Sequence, residues 1–139
     1  VVGMFRKVYL WAKAEDENGK RATDHAWVRS NLALCYTKLE AMRLINFRIA
    51  ADLEQDKMDV ALASITKVYG SESVIEILRM LTEIVGANGL IRSGSAAAFL
   101  MGELEYDVRA APTLTFGGGT NEIQRELIAQ FGLGLPRSR

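Results

Sequence analysis

Between Asp24 and about Asp52 the apolar residues Trp27, Leu32, Cys35, Leu39, Met42, Ile45 and Ile49 recur mostly at threes and fours, the spacing of one stripe along an α-helix. Thr23 or Asp24, just ahead, carries a side-chain oxygen able to cap its first amides. A second run, from Met58 to about Val85, repeats the pattern through Val60 or Ala61, Ile65, Val68, Val74, Leu78, Leu81 and Val85. Gly70 interrupts it at a cost of about 1 kcal/mol, tolerable in so long a helix. Gly86, Asn88 and Gly89 supply residues that accept the left-handed geometry of a helix end. Shorter helices are expected from Ala96 to Asp107, and from Thr120 or Asn121 to just before Gly132. Segment 1–15 forms a further helix, cut off by the polar turn from Asp16 to Lys20. No stretch alternates with period two, and the prolines, Pro112 and Pro136, leave the first 111 residues free of obligatory breakers. The pattern predicts an all-α, antiparallel four-helix bundle, with the Trp27 to Ile49 and Ile65 to Val85 stripes facing each other.

Composition narrows the picture. With 139 residues, 49% of them hydrophobic and 24% charged, the chain suits one globular domain spanning residues 1–139. Seventeen basic and seventeen acidic residues cancel, so no overall field favours nucleic acid or an anionic membrane. Cys35 has no second cysteine to pair with and His25 is the lone histidine, so a Cys/His zinc site cannot assemble and a reduced, cytoplasmic setting is expected. No apolar run reaches the roughly 18 residues of a membrane span, and no signal-peptide order opens the chain. Val1 already lies inside a helical pattern, so the chain is expected to start within a domain of a longer protein.

Several constellations invite chemistry. Cys35 and His25 would make a nucleophile and base, but ten positions on one helix part them by about 15 Å, and the dyad is rejected. Glu72 and Glu76 stand four apart on the second long helix without the histidine of a Glu-x-x-His metal motif, so they and Glu83 read as a solvated face. The aromatic residues Phe5, Tyr9, Trp11, Trp27, Tyr36 and Phe47 read as bundle core. More informative is the run from Phe116 to Arg125, where three glycines let backbone approach a ligand and a helix opens straight after them. Such a loop admits an anion such as a pyrophosphate. No Gly-Lys-Ser/Thr follows, so it is not a P-loop. Glycines alone equally permit a flexible turn in which Asn121 and Gln124 form a variant capping box.

The stretch Gly118-Gly119-Thr120-Asn121-Glu122-Ile123-Gln124-Arg125, with the tail Gly132 to Arg137, closely resembles the C-terminal signature of the acyl-CoA dehydrogenase family. Glu83 to Leu90 is similar to that family's helix end reading Gln-hydrophobic-hydrophobic-Gly-Gly-x-Gly, and Tyr36 to Arg43 fits its second bundle helix. The resemblance covers nearly the whole chain but only the family's C-terminal helical domain. It implies a four-helix bundle packed in a homo- or hetero-oligomer, with FAD lying between domains and across a subunit interface. It further implies an acyl-CoA substrate, fatty acid metabolism and an electron-accepting flavoprotein as partner. Carried over by motif, Thr120 and Glu122 with the Gly119 backbone would meet the FAD phosphate and ribose region. Glu83, Gly86 and Ala87 would meet the adenine-dinucleotide part of a neighbouring subunit's FAD.

Three departures follow from the same comparison of motifs. Many family members place the catalytic glutamate immediately before Gly-Thr, and that position is Gly118, which has no side chain to take a proton. In a second group the base lies on an earlier helix, which the match sets about eight positions before Val1, so no catalytic residue is assigned within this chain. The family's Arg-x-x-Phe-Gly stretch is replaced by Glu15 to Arg29, leaving Arg29 as the candidate substitute, and the segment between Gly89 and Gly118 is longer than in common members. The resulting expectation is the FAD-binding and oligomerising domain of an acyl-CoA dehydrogenase, inactive by itself. The alternatives are a catalytically silent subunit that completes a partner's FAD site, or a helical module without ligand.

Overall fold

A computed structural model describes residues 1–57 and 59–137. Among the described residues five α-helices follow one another: α1 (Val2–Lys13), α2 (Ala26–Leu53), α3 (Val60–Val85), α4 (Glu103–Ala110) and α5 (Asn121–Leu127). Short 3-10 turns at Ala22–Asp24, Gly86–Leu90, Phe99–Gly102 and Ala111–Thr115 join them. Among the described residues the extended pairing is a lone bridge between Glu15 and Arg21, so the all-α expectation holds. No described helix is long and apolar enough to cross a membrane.

Helix α3 is the central element, and α1, α2, α4 and α5 all pack on it. Its pairing with α2 is antiparallel: Asn31 meets Glu83, Cys35 lies 4.0 Å from the Ile77 carbonyl, and Lys38 pairs with Glu76 at 2.5 Å. The shared core holds Val28, Leu32, Cys35 and Leu39 from α2 against Ile77, Leu78, Leu81 and Ile84 from α3, joined by Met4, Val8, Ala12 and Leu104. The stripes do face each other, with their phase shifted. Val28 is buried where Trp27 was expected, Ile77 is fully buried, and Ile65 is exposed.

The aromatic core is a correction. Phe5 is half-buried, but Tyr9, Trp11, Trp27, Tyr36 and Phe47 are all exposed, the last at 59%. Small side chains, among them Ala12, Cys35, Ala61, Ser64, Ser71 and Ser73, share the interior with aliphatic ones such as Ile77 and Leu81, which fill it without the rings.

The helix starts also differ from expectation. Neither Thr23 nor Asp24 caps α2: His25 takes the cap position without a side-chain bond, and Asp24 accepts the Arg21 amide instead. Asp59 caps α3 by accepting the Leu62 amide at 2.9 Å, while Met58, the expected start, lies outside the described residues. The turn from Asp16 to Lys20 is as read. Asp16 Oδ1 accepts the amides of Asn18 and Lys20 at 2.8 and 2.9 Å, which hold its carboxyl below the usual carboxylate range.

The helix expected from Ala96 to Asp107 begins only at Glu103. Leu100 and Met101 adopt left-handed backbone (φ 47° and 57°), and so does Gly102 (φ 86°). A Cβ on Gly102 would collide with the Ser93 backbone nitrogen, because the 91–95 segment crosses directly over it. At the other end of the chain α5 runs on into a π turn, Ile128–Gly132, which lays Gly132 against Ala61 at the start of α3. Just beyond it the Leu135 amide bonds the Ala129 carbonyl at 2.9 Å.

Candidate functional site

The glycine loop runs from Phe116 to Thr120 and delivers the chain into α5. Gly118 and Gly119 both take left-handed backbone (φ 71° and 95°), which a residue with a Cβ adopts only under strain. At Gly117 and Gly118 a Cβ would meet open space. The amides of Gly118, Gly119 and Thr120 find no acceptor within the described residues. A loop of consecutive unpaired amides is a donor set suited to phosphate oxygens. Thr120 caps α5, its hydroxyl accepting the Ile123 amide at 3.4 Å. Glu122 folds back on its own amide and on Thr120, which together hold its carboxylate below the usual range. Charged in this way, it suits a hydroxyl-bearing sugar and would repel a phosphate.

The loop is fastened from beneath. Asn121 is 3% exposed and sits against α3, where its Oδ1 accepts Lys67 Nζ at 2.5 Å and its Nδ2 donates to Ser71 Oγ at 3.0 Å and Glu72 Oε1 at 3.1 Å. Lys67 Nζ also donates to the Thr115 carbonyl at 3.0 Å, and Arg125 Nη2 to Glu72 Oε1 at 2.6 Å. Arg125 first, and Asn121 after it, hold the Glu72 carboxyl below its ordinary value. Gln124 Nε2 reaches back to the Gly118 carbonyl at 2.8 Å. The capping box expected of Asn121 and Gln124 is therefore absent: Asn121 is turned inward and Gln124 holds the loop. Sequence reasoning missed Lys67, Ser71 and the buried role of Asn121. The available signal was polar: Ser64, Lys67 and Ser71 lie at three and four spacing on a face of α3 that is otherwise apolar.

The second group of expected residues lies elsewhere. Glu83 is exposed and accepts Asn31 Nδ2 at 3.4 Å, and Gly86 and Ala87 are exposed at the end of α3. Glu72, beside Asn121, and Glu83 are eleven positions apart on one helix, about 16 Å at 1.5 Å per residue. One chain thus carries two separated patches rather than a single pocket. A cleft of about 400 Å³ opens at the Glu83 end, edged by Glu15, Asp16, Lys20 and Arg21. Arg29, the candidate substitute for the missing arginine motif, does not face that cleft. Its Nη1 donates to the carbonyls of Thr23 and Asp24 at 2.6 and 2.9 Å and so steadies the turn before α2.

The remaining candidates resolve as structural. Cys35 is fully buried, and burial pushes its thiol up to about 11. His25 is exposed at the helix start. Glu72 and Glu76 each turn to a separate cation, Arg125 and Lys38. Gly118 offers backbone only.

Comparison with known proteins puts this architecture in context. The family model described as acyl-CoA dehydrogenase, C-terminal domain, matches residues 2–133. Acyl-CoA dehydrogenase FadE26 of Mycobacterium tuberculosis is 41% identical over 99% of this chain and 36% of its own length. Among solved structures, the ChsE4-ChsE5 complex from Mycobacterium tuberculosis superposes with a TM-score of 0.89 at 42% identity, covering 99% of this chain and 36% of that one. The Tcur3481-Tcur3483 steroid ACAD gives the same TM-score, 0.89, and identity, 42%, over 99% of this chain and 34% of that one. The chain spans about a third of the length of these relatives.

Proposed function

Because this chain belongs to the acyl-CoA dehydrogenase family, as its C-terminal domain, we propose that it serves as the FAD-binding and oligomerising part of an enzyme that dehydrogenates an acyl-CoA thioester between its α and β carbons. The observation that carries this reading is the 116–120 loop, whose unpaired amides and bare glycines match the phosphate and ribose region of a dinucleotide in donor chemistry. Gly119 and Thr120 would bind phosphate oxygens through their amides, and the Glu122 carboxylate would accept a ribose hydroxyl. By resemblance to the family's motif, Glu83, Gly86 and Ala87 would meet the adenine-dinucleotide part of a neighbouring subunit's FAD, a patch separate from the loop. FAD, when bound, supplies the hydride acceptor. The base that removes the α-proton is assigned to a segment outside this chain, because Gly118 stands at the usual position.

Oligomerisation is supported by apolar side chains left on the surface, including Leu34, Leu44 and Phe47 on α2, each more than half exposed. An acyl thioester bearing a steroid is the first substrate class to try, given the relative described as a steroid ACAD. An electron-accepting flavoprotein is proposed to take up the electrons, and a cytoplasmic location is proposed with it. A second reading, that of a catalytically silent subunit completing a partner's FAD site, is favoured by Gly118 itself.

Two measurements test the proposal. This chain alone should not support acyl-CoA-dependent reduction of an electron acceptor, and turnover by it would refute the assignment of the base elsewhere. FAD titration of the full-length protein should show Gly119→Val binding more weakly than wild type. Equal affinity would remove the loop from the FAD site.

A further inference from the structure

Two consecutive glycines in left-handed backbone form a stretch with little steric preference of its own, so something must decide which way the peptide between them faces. In this chain the decision is made by a side chain one helical turn into α5. Gln124 Nε2 donates to the Gly118 carbonyl at 2.8 Å. The peptide unit is planar and trans, which points its carbonyl and its amide hydrogen in opposite directions. Holding the Gly118 carbonyl against Gln124 therefore turns the Gly119 amide away from it, where it finds no acceptor within the described residues.

A second contact involves the same two residues. A Cβ built on Gly119 would lie 2.9 Å from Gln124 Nε2, and the next nearest atom, Gln124 Cδ, is 3.9 Å away. The Gln124 carboxamide thus fills the space that a side chain at 119 would need. Were the bond lost, the Gly118 carbonyl could turn outward, and a carbonyl oxygen facing a phosphate is repelled rather than bound.

We infer that Gln124 is a positioning residue for the dinucleotide phosphate: by gripping the Gly118 carbonyl it presents the Gly119 amide to the anion, although it does not itself touch the ligand. The inference rests on the FAD reading above and adds to it how the loop is oriented.

The test uses the full-length protein and the variants Gln124→Met, which keeps length but cannot donate, and Gly119→Ala. FAD affinity is read by quenching of flavin fluorescence. The pyrophosphate environment is read from the phosphorus NMR shifts of bound FAD, and fold integrity from thermal unfolding of the apoprotein. Loss of one hydrogen bond should weaken FAD binding about three- to tenfold in Gln124→Met. The phosphorus resonances should shift while the thermal midpoint falls by no more than about 4 °C. Gly119→Ala displaces the same carboxamide, so adding Gln124→Met to it should weaken binding little further. Wild-type affinity and unshifted phosphorus resonances in Gln124→Met would overturn the inference and leave the FAD reading intact. A wild-type protein that holds no FAD would overturn both.

Discussion

Replacing Asn121 with alanine strips the underside of the glycine loop. Bonds to three partners disappear: the one from Lys67 Nζ at 2.5 Å, the one shared with Ser71 Oγ, which lies 3.0 Å from Nδ2 and 3.1 Å from Oδ1, and the one to Glu72 Oε1 at 3.1 Å. Two of these involve a charged partner, about 1.5 to 3 kcal/mol each, and the third is neutral, about 0.5 to 1.5 kcal/mol. The full sum overstates the loss, because every partner keeps another bond: Lys67 to the Thr115 carbonyl, Ser71 to the Val68 carbonyl, Glu72 to Arg125. Water can also enter the vacated polar space. The expected destabilisation is about 2 to 4 kcal/mol. With a urea slope of about 2 kcal/mol/M it moves the unfolding midpoint down by about 1 to 2 M. Urea titration followed by far-ultraviolet circular dichroism measures it. Ser71→Ala should cost only about 1 kcal/mol, and the double variant should cost less than the sum of the two because both lose the same bond. A cost below about 1 kcal/mol for Asn121→Ala, or strict additivity, would refute the account of this cluster as one connected network.

Three further outcomes are expected. Ile77→Ala empties a fully buried position in the α2–α3 core and should cost about 2 to 5 kcal/mol by the same urea titration. Glu72 has its pKa lowered by Arg125, so its stabilising contribution is complete above its ordinary value of 4.5 and fades as pH falls through the lowered value. The stability gap between wild type and Arg125→Met should therefore narrow below pH 4.5, and a gap that widens in acid would contradict the pairing. Cys35, buried and with its thiol raised to about 11, should react with a disulfide reagent at pH 8 only after denaturant is added.

The long helices were legible because their apolar spacing persists over many turns: α2 spans 26–53 against the 24–52 read from pattern. Their rotation was not, since Trp27 carries far more apolar area than Val28 and yet is half exposed while Val28 is buried. Which of two adjacent apolar residues turns inward is settled by what packs across the interface, here the cluster of Ile77, Leu81 and Ile84, a tertiary contact that the local pattern does not carry. The 96–102 stretch misled for a related reason. Three alanines favour a helix locally, but the crossing of Ser93 over Gly102 is a tertiary contact with no local signature. At the site, the glycine loop could be read from residue types, whereas its cap was read on Asn121 and falls on Thr120. The clamp from Lys67 and Ser71 could not, because it joins positions about fifty residues apart. The two-patch layout was implicit in the eleven-residue spacing along α3, once that helix was known to be unbroken.

The π turn at Ile128–Gly132 bears on how this chain tolerates changes of length. A π turn holds one residue more than the α-helical turn it replaces. Deleting any one residue between Ile128 and Phe131 would let the segment relax to ordinary helical bonding. Because either turn closes about one revolution, the residues downstream would keep nearly their present direction. Gly132 would stay against Ala61, and the apolar tail residues Leu133 and Leu135, now exposed, would keep their outward aim. A deletion in the regular turns of α5 has no such slack and would swing the whole terminus by about 100°, the angle that one residue subtends at 3.6 per turn. At this end of the molecule the π turn is the one place where a residue can be lost without re-aiming the surface.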